Sequence, residues 1–352
     1  SQEIGLGRAL ARKGHEVMIY KGIDPSEKEE KVQVEKNLTI WYLPMKHLGA
    51  HGFMDCKYLD PQLKALFCFG DQQIFLPHVY RWCRRRRIPF VAYVGTAHSL
   101  DSNFKSKVMN ALFAAGTLRI YKKNPVLAKT SAAKEELRQL GVPHAVIAPV
   151  GLDNAVLKKN IPADEKMRLR KEHGFEADDV ILCNVSRLSW EKRPLELIDL
   201  FLQVKGKKKF KLIIVGNGPL EEELNEKIRK NGLEKEVKIY PNVPYEKMWE
   251  IYEMSDYYLN MNKGEIFGMA IMEAVYYKTS VAAIRALGPS VTLKDMKGHK
   301  LCENDDEMAE WITGPYPSEK DLQESSEKMA ATFTWDRCAD AFLQASSEKS
   351  SR

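Results

Sequence analysis

Two glutamates eight positions apart bracket the run Glu265-Ile-Phe-Gly-Met-Ala-Ile-Met-Glu273. Ile266, Phe267 and Gly268 read as a tight apolar loop, and residues 269–277, from Met269 onward, read as a helix of good helix formers. A helix start leaves backbone N–H groups without partners and carries partial positive charge, so it makes a cradle for a phosphate or diphosphate. Glu265 stands at the mouth of that cradle, and Glu273 about one turn into the helix, roughly 6 Å further along at ~1.5 Å per residue. A carboxylate beside a phosphate would repel it. An ionised carboxylate only accepts hydrogen bonds, which suits it to sugar hydroxyls. The segment therefore points to a sugar-nucleotide pocket. The same residues would also make an ordinary amphipathic helix with two solvated glutamates.

A second group of residues supplies the opposite charge. Residues 180–186 (VILCNVS) form an apolar run of strand length, followed by Arg187-Leu-Ser-Trp-Glu-Lys192 and then Pro194. Proline is favoured at a helix start, where its missing N–H costs nothing. Arg187 and Lys192 thus lie on a strand-to-helix loop, the ligand edge of an open α/β sheet. A planar guanidinium fork and an ammonium point charge suit a diphosphate, although such charges also decorate ordinary surface loops. Residues 211–215 (KLIIV) then run into Gly216-Asn217-Gly218-Pro219. Glycine lets backbone approach a ligand closely, but a single Gly-x-Gly is often only a turn.

These groups need elements to hold them. Short apolar runs at 38–43, 66–69, 90–94, 118–121 and 145–148 read as strands, with helices at 72–87, 104–115 and 131–140 between them. The second half repeats the pattern. Its strands are expected at 180–186, 212–215, 237–240, 257–261 and 280–283, and its helices at 195–207, 221–231, 245–254 and 269–277. Such alternation means parallel sheets with helices on both faces. The expected class is α/β, two Rossmann-like doubly wound domains joined through the charged, proline-bearing stretch 151–179.

Composition narrows the alternatives. A chain of 352 residues suits two domains, and 44% hydrophobic with 29% charged residues is an ordinary globular balance. No apolar run reaches the eighteen or so residues of a membrane span. The six cysteines are scattered with no C-x-x-C pair, which argues against a zinc site or a disulfide framework and fits a reducing compartment. Arg81, Arg84, Arg85, Arg86 and Arg87 end one helix. Cations are favoured there by the helix dipole, and the same cluster would meet anionic lipid heads or a lipid-diphosphate. No nucleic-acid module accompanies it, so no nucleic-acid partner is expected.

In order, Arg187-x4-Lys192, Val215-Gly-Asn-Gly-Pro219, the stretch 252–256 (YEMSD) and Glu265-x7-Glu273 with Phe267-Gly268 resemble the retaining glycosyltransferases of family four, which have the GT-B architecture. The resemblance covers nearly the whole chain and is strongest from about residue 180 to 289. It implies an acceptor domain at 1–150, a donor-nucleotide domain at 151–334 and a helix at 335–352 that crosses back to the first domain. It implies that Glu265 lies near the transferred sugar, that Glu273 holds the nucleotide ribose, and that Arg187 and Lys192 bind the diphosphate. Gly216, Asn217, Gly218, Ile266, Phe267, Gly268 and Met269 complete the implied donor site, with Asn262, Lys263, Gly264 and the 288–290 turn as lining. His98, in Gly95-Thr-Ala-His-Ser99, falls where the family carries a histidine near the scissile sugar–phosphate bond.

The resemblance also implies a donor with uridine as the default base, a nucleotide-sugar that is substrate rather than cofactor, and no metal: Asp-x-Asp occurs nowhere in the chain. A bacterial surface glycan or a lipid-linked glycan is the expected acceptor. The expected location is cytoplasmic, at the inner face of a membrane through the arginine cluster. The family has a further strand and a glycine-rich turn ahead of the helix at 1–13, and this chain is expected to lack them. Two alternatives stay open: a nucleotide-sugar epimerase of similar form, and a non-catalytic partner subunit, the latter because Tyr277-Lys-Thr-Ser280 replaces the family's Gly-x-Pro turn.

Overall fold

The structure is a computed structural model that describes residues 2–48, 51–71, 73–97, 104–153 and 156–347. It divides into two compact units: Ser1–Gly151 with Phe333–Arg352, and Leu152–Thr332. Among the described residues no helix is long and apolar enough to cross a membrane.

In the first unit, β1 (Val17–Ile23), β2 (Glu30–Glu35) and β3 (Leu38–Pro44) form a sheet of order β1-β3-β2, with β2 antiparallel to β3. Strands β4 (Lys46–Leu48) and β5 (His51–Phe53) make an antiparallel pair. Strands β6 (Leu66–Phe69), β7 (Phe90–Val94), β8 (Val126–Ala128) and β9 (Val146–Ile147) run parallel in that order. All five residues of β7 are buried, as a strand covered on both faces requires.

The run 118–121, expected as a strand, is instead the short helix Thr117–Tyr121. Its polar ends explain the choice. The Tyr121 hydroxyl donates to the Gly70 carbonyl at 2.6 Å and the Thr117 hydroxyl to the Gln73 carbonyl at 2.9 Å, so the turn caps the chain leaving β6. The sheet position goes to the three-residue β8.

The second unit holds one six-stranded parallel sheet: β10 (Val180–Val185), β11 (Phe210–Val215), β12 (Val237–Tyr240), β13 (Tyr257–Asn260), β14 (Ser280–Ile284) and β15 (Lys300–Cys302). Their spatial order is β12-β11-β10-β13-β14-β15. Numbered from β10 this is 3-2-1-4-5-6, the doubly wound order in which the chain moves outward in both directions from the centre. Connections leaving β10 and β13 therefore diverge, and a crevice opens beyond their carboxyl ends. The core beneath it is apolar throughout, with Leu182, Ile198, Phe201, Leu212, Ile214 and Leu259 each no more than 2% exposed.

The opposite end of β13 is closed by charge. The Asp256 carboxylate accepts from Arg170 at 2.7 Å, from Lys166 at 3.0 Å and from the Ile181 amide at 2.8 Å. These bonds anchor the helix Glu165–Glu172 to the sheet. Asp256 lies at the amino end of its strand, away from the crevice, so its place in the 252–256 stretch is structural.

Candidate functional site

The loop after β10 is held by glycine rather than by its own side chains. Gly216 has φ +140°, and a Cβ there would fall 1.9 Å from the Ser186 carbonyl oxygen; Gly218 has φ +156°, and its Cβ would fall 2.4 Å from the Leu188 carbonyl oxygen. Only glycine allows this approach. The contact is sealed by the Leu188 amide donating to the Asn217 carbonyl at 2.8 Å and by the Leu220 amide donating to the Leu188 carbonyl at 3.0 Å. Gly216, Asn217 and Gly218 thus brace the Arg187 loop. They do not line the cavity described below.

Beyond Leu188 the chain makes one short turn, Trp190–Lys192, and Arg193 takes the left-handed conformation (φ 56°) that starts the helix Pro194–Val204. Arg193 is committed to the scaffold. Its guanidinium pairs with Asp305 at 2.8 Å and donates to the Met261 carbonyl at 3.3 Å, tying the loop after β10 to the end of β13.

The loop after β13 is built from asparagines. The Asn260 side chain accepts from the Asn262 amide at 3.1 Å, and the Asn262 side chain accepts from the Gly264 amide at 2.9 Å while donating to Glu265 Oε2 at 3.0 Å. Gly268 (φ 86°) then begins the helix Met269–Tyr276. Gly288 supports this loop from behind. Its amide donates to the Glu265 carbonyl at 2.8 Å, and any Cβ would lie 2.5 Å from the Phe267 nitrogen. Phe267 is buried, Met269 half-buried, and Ile266 exposed.

The two loops face one cavity of about 570 Å³, lined by Arg187, Trp190–Arg193 and 262–266. At its centre Lys192 Nζ meets Glu265 Oε2 at 2.9 Å, with the two side chains only 25% and 17% exposed. Burial pushes the Glu265 carboxyl up, but the bond and charge of Lys192, aided by Asn262 and Asn260, outweigh it and hold the group below its ordinary value. Glu265 is thus an ionised carboxylate in a largely covered place. Arg187 is further out. Its guanidinium pairs with Glu191 at 2.9 Å, and both side chains are exposed. The Ser189 hydroxyl and then Arg187 hold Glu191 at about 2.

Glu273 lies elsewhere. It is 8% exposed, with Tyr252 Oη donating to Oε2 at 2.9 Å and Tyr245 Oη to Oε1 at 3.1 Å. Burial dominates and raises its carboxyl above the ordinary value, opposed by the two tyrosines. It opens on a small second cavity with Val156, Leu157, Trp249 and Tyr277. The two glutamates border separate hollows, and both carboxylates lie within electrostatic reach of the buried Tyr258 hydroxyl. As the sequence leads one to expect, the helix begins at Met269 with Glu273 about one turn inside, and its carboxylate meets Tyr252 of the preceding helix Met248–Met254. Of the residues anticipated from sequence, the structure brings together Arg187, Lys192, Asn262, Lys263, Gly264, Glu265 and Ile266, with Phe267, Gly268 and Met269 forming the helix start beside them. His98 lies outside the described residues. The arginines 81 and 84–87 are exposed along and just beyond the helix Leu76–Arg86, where Arg86 lies 4.6 Å over the Trp82 ring. Sequence reasoning passed over Trp190 and Glu191, although both stand inside the Arg187–Lys192 loop, and over Tyr245, which nothing near Glu273 in sequence announces.

This sheet order is shared by doubly wound folds in general, and the solved structures that the chain resembles identify its fold as GT-B. The likeness extends to the solved structure of Anabaena HepE in complex with UDP and glucose, with a TM-score of 0.66 and 18% identity over 82% of this chain and 79% of that one. In sequence, the chain is 23% identical to an uncharacterized glycosyltransferase of Methanocaldococcus jannaschii over 293 residues, 79% of this chain and 74% of the relative. It is 20% identical to the alpha-monoglucosyldiacylglycerol synthase of Acholeplasma laidlawii over 294 residues, 77% of this chain and 73% of the relative. Residues 165–328, which contain both loops of the cavity, match the family Glycosyl transferases group 1.

Proposed function

We propose that the chain is a retaining, metal-independent transferase that moves a sugar from a nucleotide-diphospho-sugar, with uridine as the base, to a hydroxyl acceptor. The observation that carries this reading is the covered Lys192–Glu265 pair at the switch point. An ammonium offers three donors and a carboxylate two oxygens, so a 2.9 Å contact between them leaves capacity on both sides. Lys192, with Arg187 above it, takes the diphosphate and stabilises the charge that gathers there as the sugar leaves. The backbone amides at the start of the helix Met269–Tyr276 add the helix dipole to the same end. Glu265 accepts from hydroxyls of the transferred sugar and favours the positive charge that develops on its ring.

These cations and the helix start do the work a metal would do on the leaving group. Glu265 is bonded to Lys192 and Asn262, which disfavours its use as a covalent nucleophile and favours attack of the acceptor on the face the diphosphate leaves. Glu273 accepts one tyrosine bond on each oxygen and keeps lone pairs for ribose hydroxyls, which would reach it past Tyr245, 42% exposed. The first unit is assigned the acceptor, with His98 on the acceptor side. A lipid-linked or surface glycan is favoured as acceptor by the exposed arginines and by the lipid named for the Acholeplasma relative.

The test is release of UDP from UDP-sugars in the presence of a panel of hydroxyl acceptors. Wild type releases UDP with at least one pair, and Glu265→Gln does so at least ~100-fold more slowly, the cost of losing one transition-state contact. An E265Q protein as fast as wild type refutes the assignment.

A further inference from the structure

Trp190 is the most exposed large hydrophobic residue described, at 67%, and it stands on the wall of the Lys192–Glu265 cavity. Its neighbours are all committed. Leu188 is buried, Ser189 and Arg187 bind Glu191, Lys192 binds Glu265, and Arg193 binds Asp305. Among the described residues its indole makes no hydrogen bond, ring stack or cation–π contact. The backbone beneath it is firm, a single turn closed by the Arg193 amide donating to the Trp190 carbonyl at 3.1 Å. A rigid stub thus holds roughly 150 Å² of aromatic surface in water beside a polar pair. Across the cavity the other exposed apolar lining residue is Ile266, 38% exposed and adjacent to Glu265. The ion pair is more covered than either, so the two apolar groups form the rim and the charges the floor.

A hexose ring matches this arrangement. Its hydroxyl edge needs acceptors and donors, which Glu265, Asn262 and Lys192 supply. Its C–H face is apolar and slightly positive, and it stacks on the negative face of an aromatic ring. Lys192, two residues from Trp190, fixes where the diphosphate lies, and the ring bonded to that diphosphate is the transferred sugar. Resting on the donor reading above, we infer that Trp190, faced by Ile266, is the stacking platform for the transferred sugar ring and a determinant of which nucleotide-sugar is held.

Calorimetric titration with UDP and with a panel of UDP-hexoses and UDP-N-acetylhexosamines separates the sugar contact from the nucleotide contact. Trp190→Ala weakens the best-binding UDP-sugar at least tenfold, about 1.4 kcal/mol, and UDP less than twofold. Trp190→Phe keeps the UDP-sugar within threefold of wild type, whereas Trp190→Leu behaves like alanine, because bulk without a π face does not stack. An unchanged UDP-sugar affinity in W190A overturns the platform, as does an equal loss of UDP. A wild-type protein that binds neither UDP nor any UDP-sugar refutes the donor reading itself, and the platform with it.

Discussion

Removing the ammonium from the cavity floor is the most informative perturbation. In Lys192→Ala, Glu265 loses the strongest influence holding its carboxyl down and keeps the burial that pushes it up. Breaking a fully buried pair costs ~3–5 kcal/mol. Exposures of 25% and 17% reduce that to about 2 kcal/mol at neutral pH, roughly 4–8 °C in Tm for a unit of this size. The sign with pH follows from the direction of the shift. A depressed carboxyl contributes stability that is present above its unfolded value and lost as pH falls through the folded value. The Tm deficit of K192A should therefore be greatest at pH 7–8 and shrink as pH falls through the depressed value of the wild-type carboxyl, where Glu265 takes up a proton. Turnover should fall by about 100-fold or more, equivalent to ~2.7 kcal/mol of lost transition-state stabilisation. Thermal scans across the pH range, paired with sugar-transfer rates, measure both. A pH-independent deficit refutes the electrostatic account of the pair, and near-wild-type turnover refutes its role on the diphosphate.

Other variants separate chemistry from scaffold. Arg187→Ala should slow transfer by a comparable factor yet move Tm by no more than about 1 °C, since its pair with Glu191 is exposed; a large Tm loss would make it a scaffold residue. Tyr252→Phe should destabilise by ~1–3 kcal/mol by leaving a buried carboxylate oxygen without its donor, visible as a lowered urea midpoint. Glu273 has the opposite sign to Glu265: its raised carboxyl costs stability at neutral pH, and that cost is relieved as pH falls through the raised value. Glu273→Gln should accordingly match or exceed the wild-type Tm at pH 7.5 and lose that advantage toward pH 4; a fall of more than 5 °C at pH 7.5 would contradict this. Gly218→Ala places a Cβ 2.4 Å from backbone and should sharply reduce folded protein in circular-dichroism melts. EDTA should leave transfer intact; full loss restored by a divalent cation would end the metal-independent reading.

The second sheet was legible in sequence because its strands are continuous apolar runs rich in β-branched residues, VILCNV and KLIIV among them, set between helical patterns, as a doubly covered parallel sheet requires. Weaker elements escaped for physical reasons. Leu118–Tyr121 has strand composition but is a helical turn, an ambiguity that short apolar runs carry inherently. Strand β2 (EKVQVE) is almost entirely exposed, and β8 and β15 are three residues each, too short to show a period. The site was partly visible: Arg187, Lys192 and Glu265 could be nominated from residue type and loop position. That Lys192 and Glu265 bind each other across 73 residues follows from the adjacency of β10 and β13, which no local pattern encodes. The same is true of Glu273, whose tyrosine partners come from 21 and 28 residues earlier in the chain.

The most direct test is a thermal-shift titration of wild type and the Arg187→Ala/Lys192→Ala double variant with nucleotide-diphospho-sugars. A ligand at about 100 times its Kd stabilises by ~2.7 kcal/mol. At least one such sugar should raise the wild-type Tm by roughly 5–10 °C, and the double variant by less than a fifth of that. No shift with any nucleotide-sugar, or a full shift in the double variant, would contradict the claim that this cavity is where the donor binds.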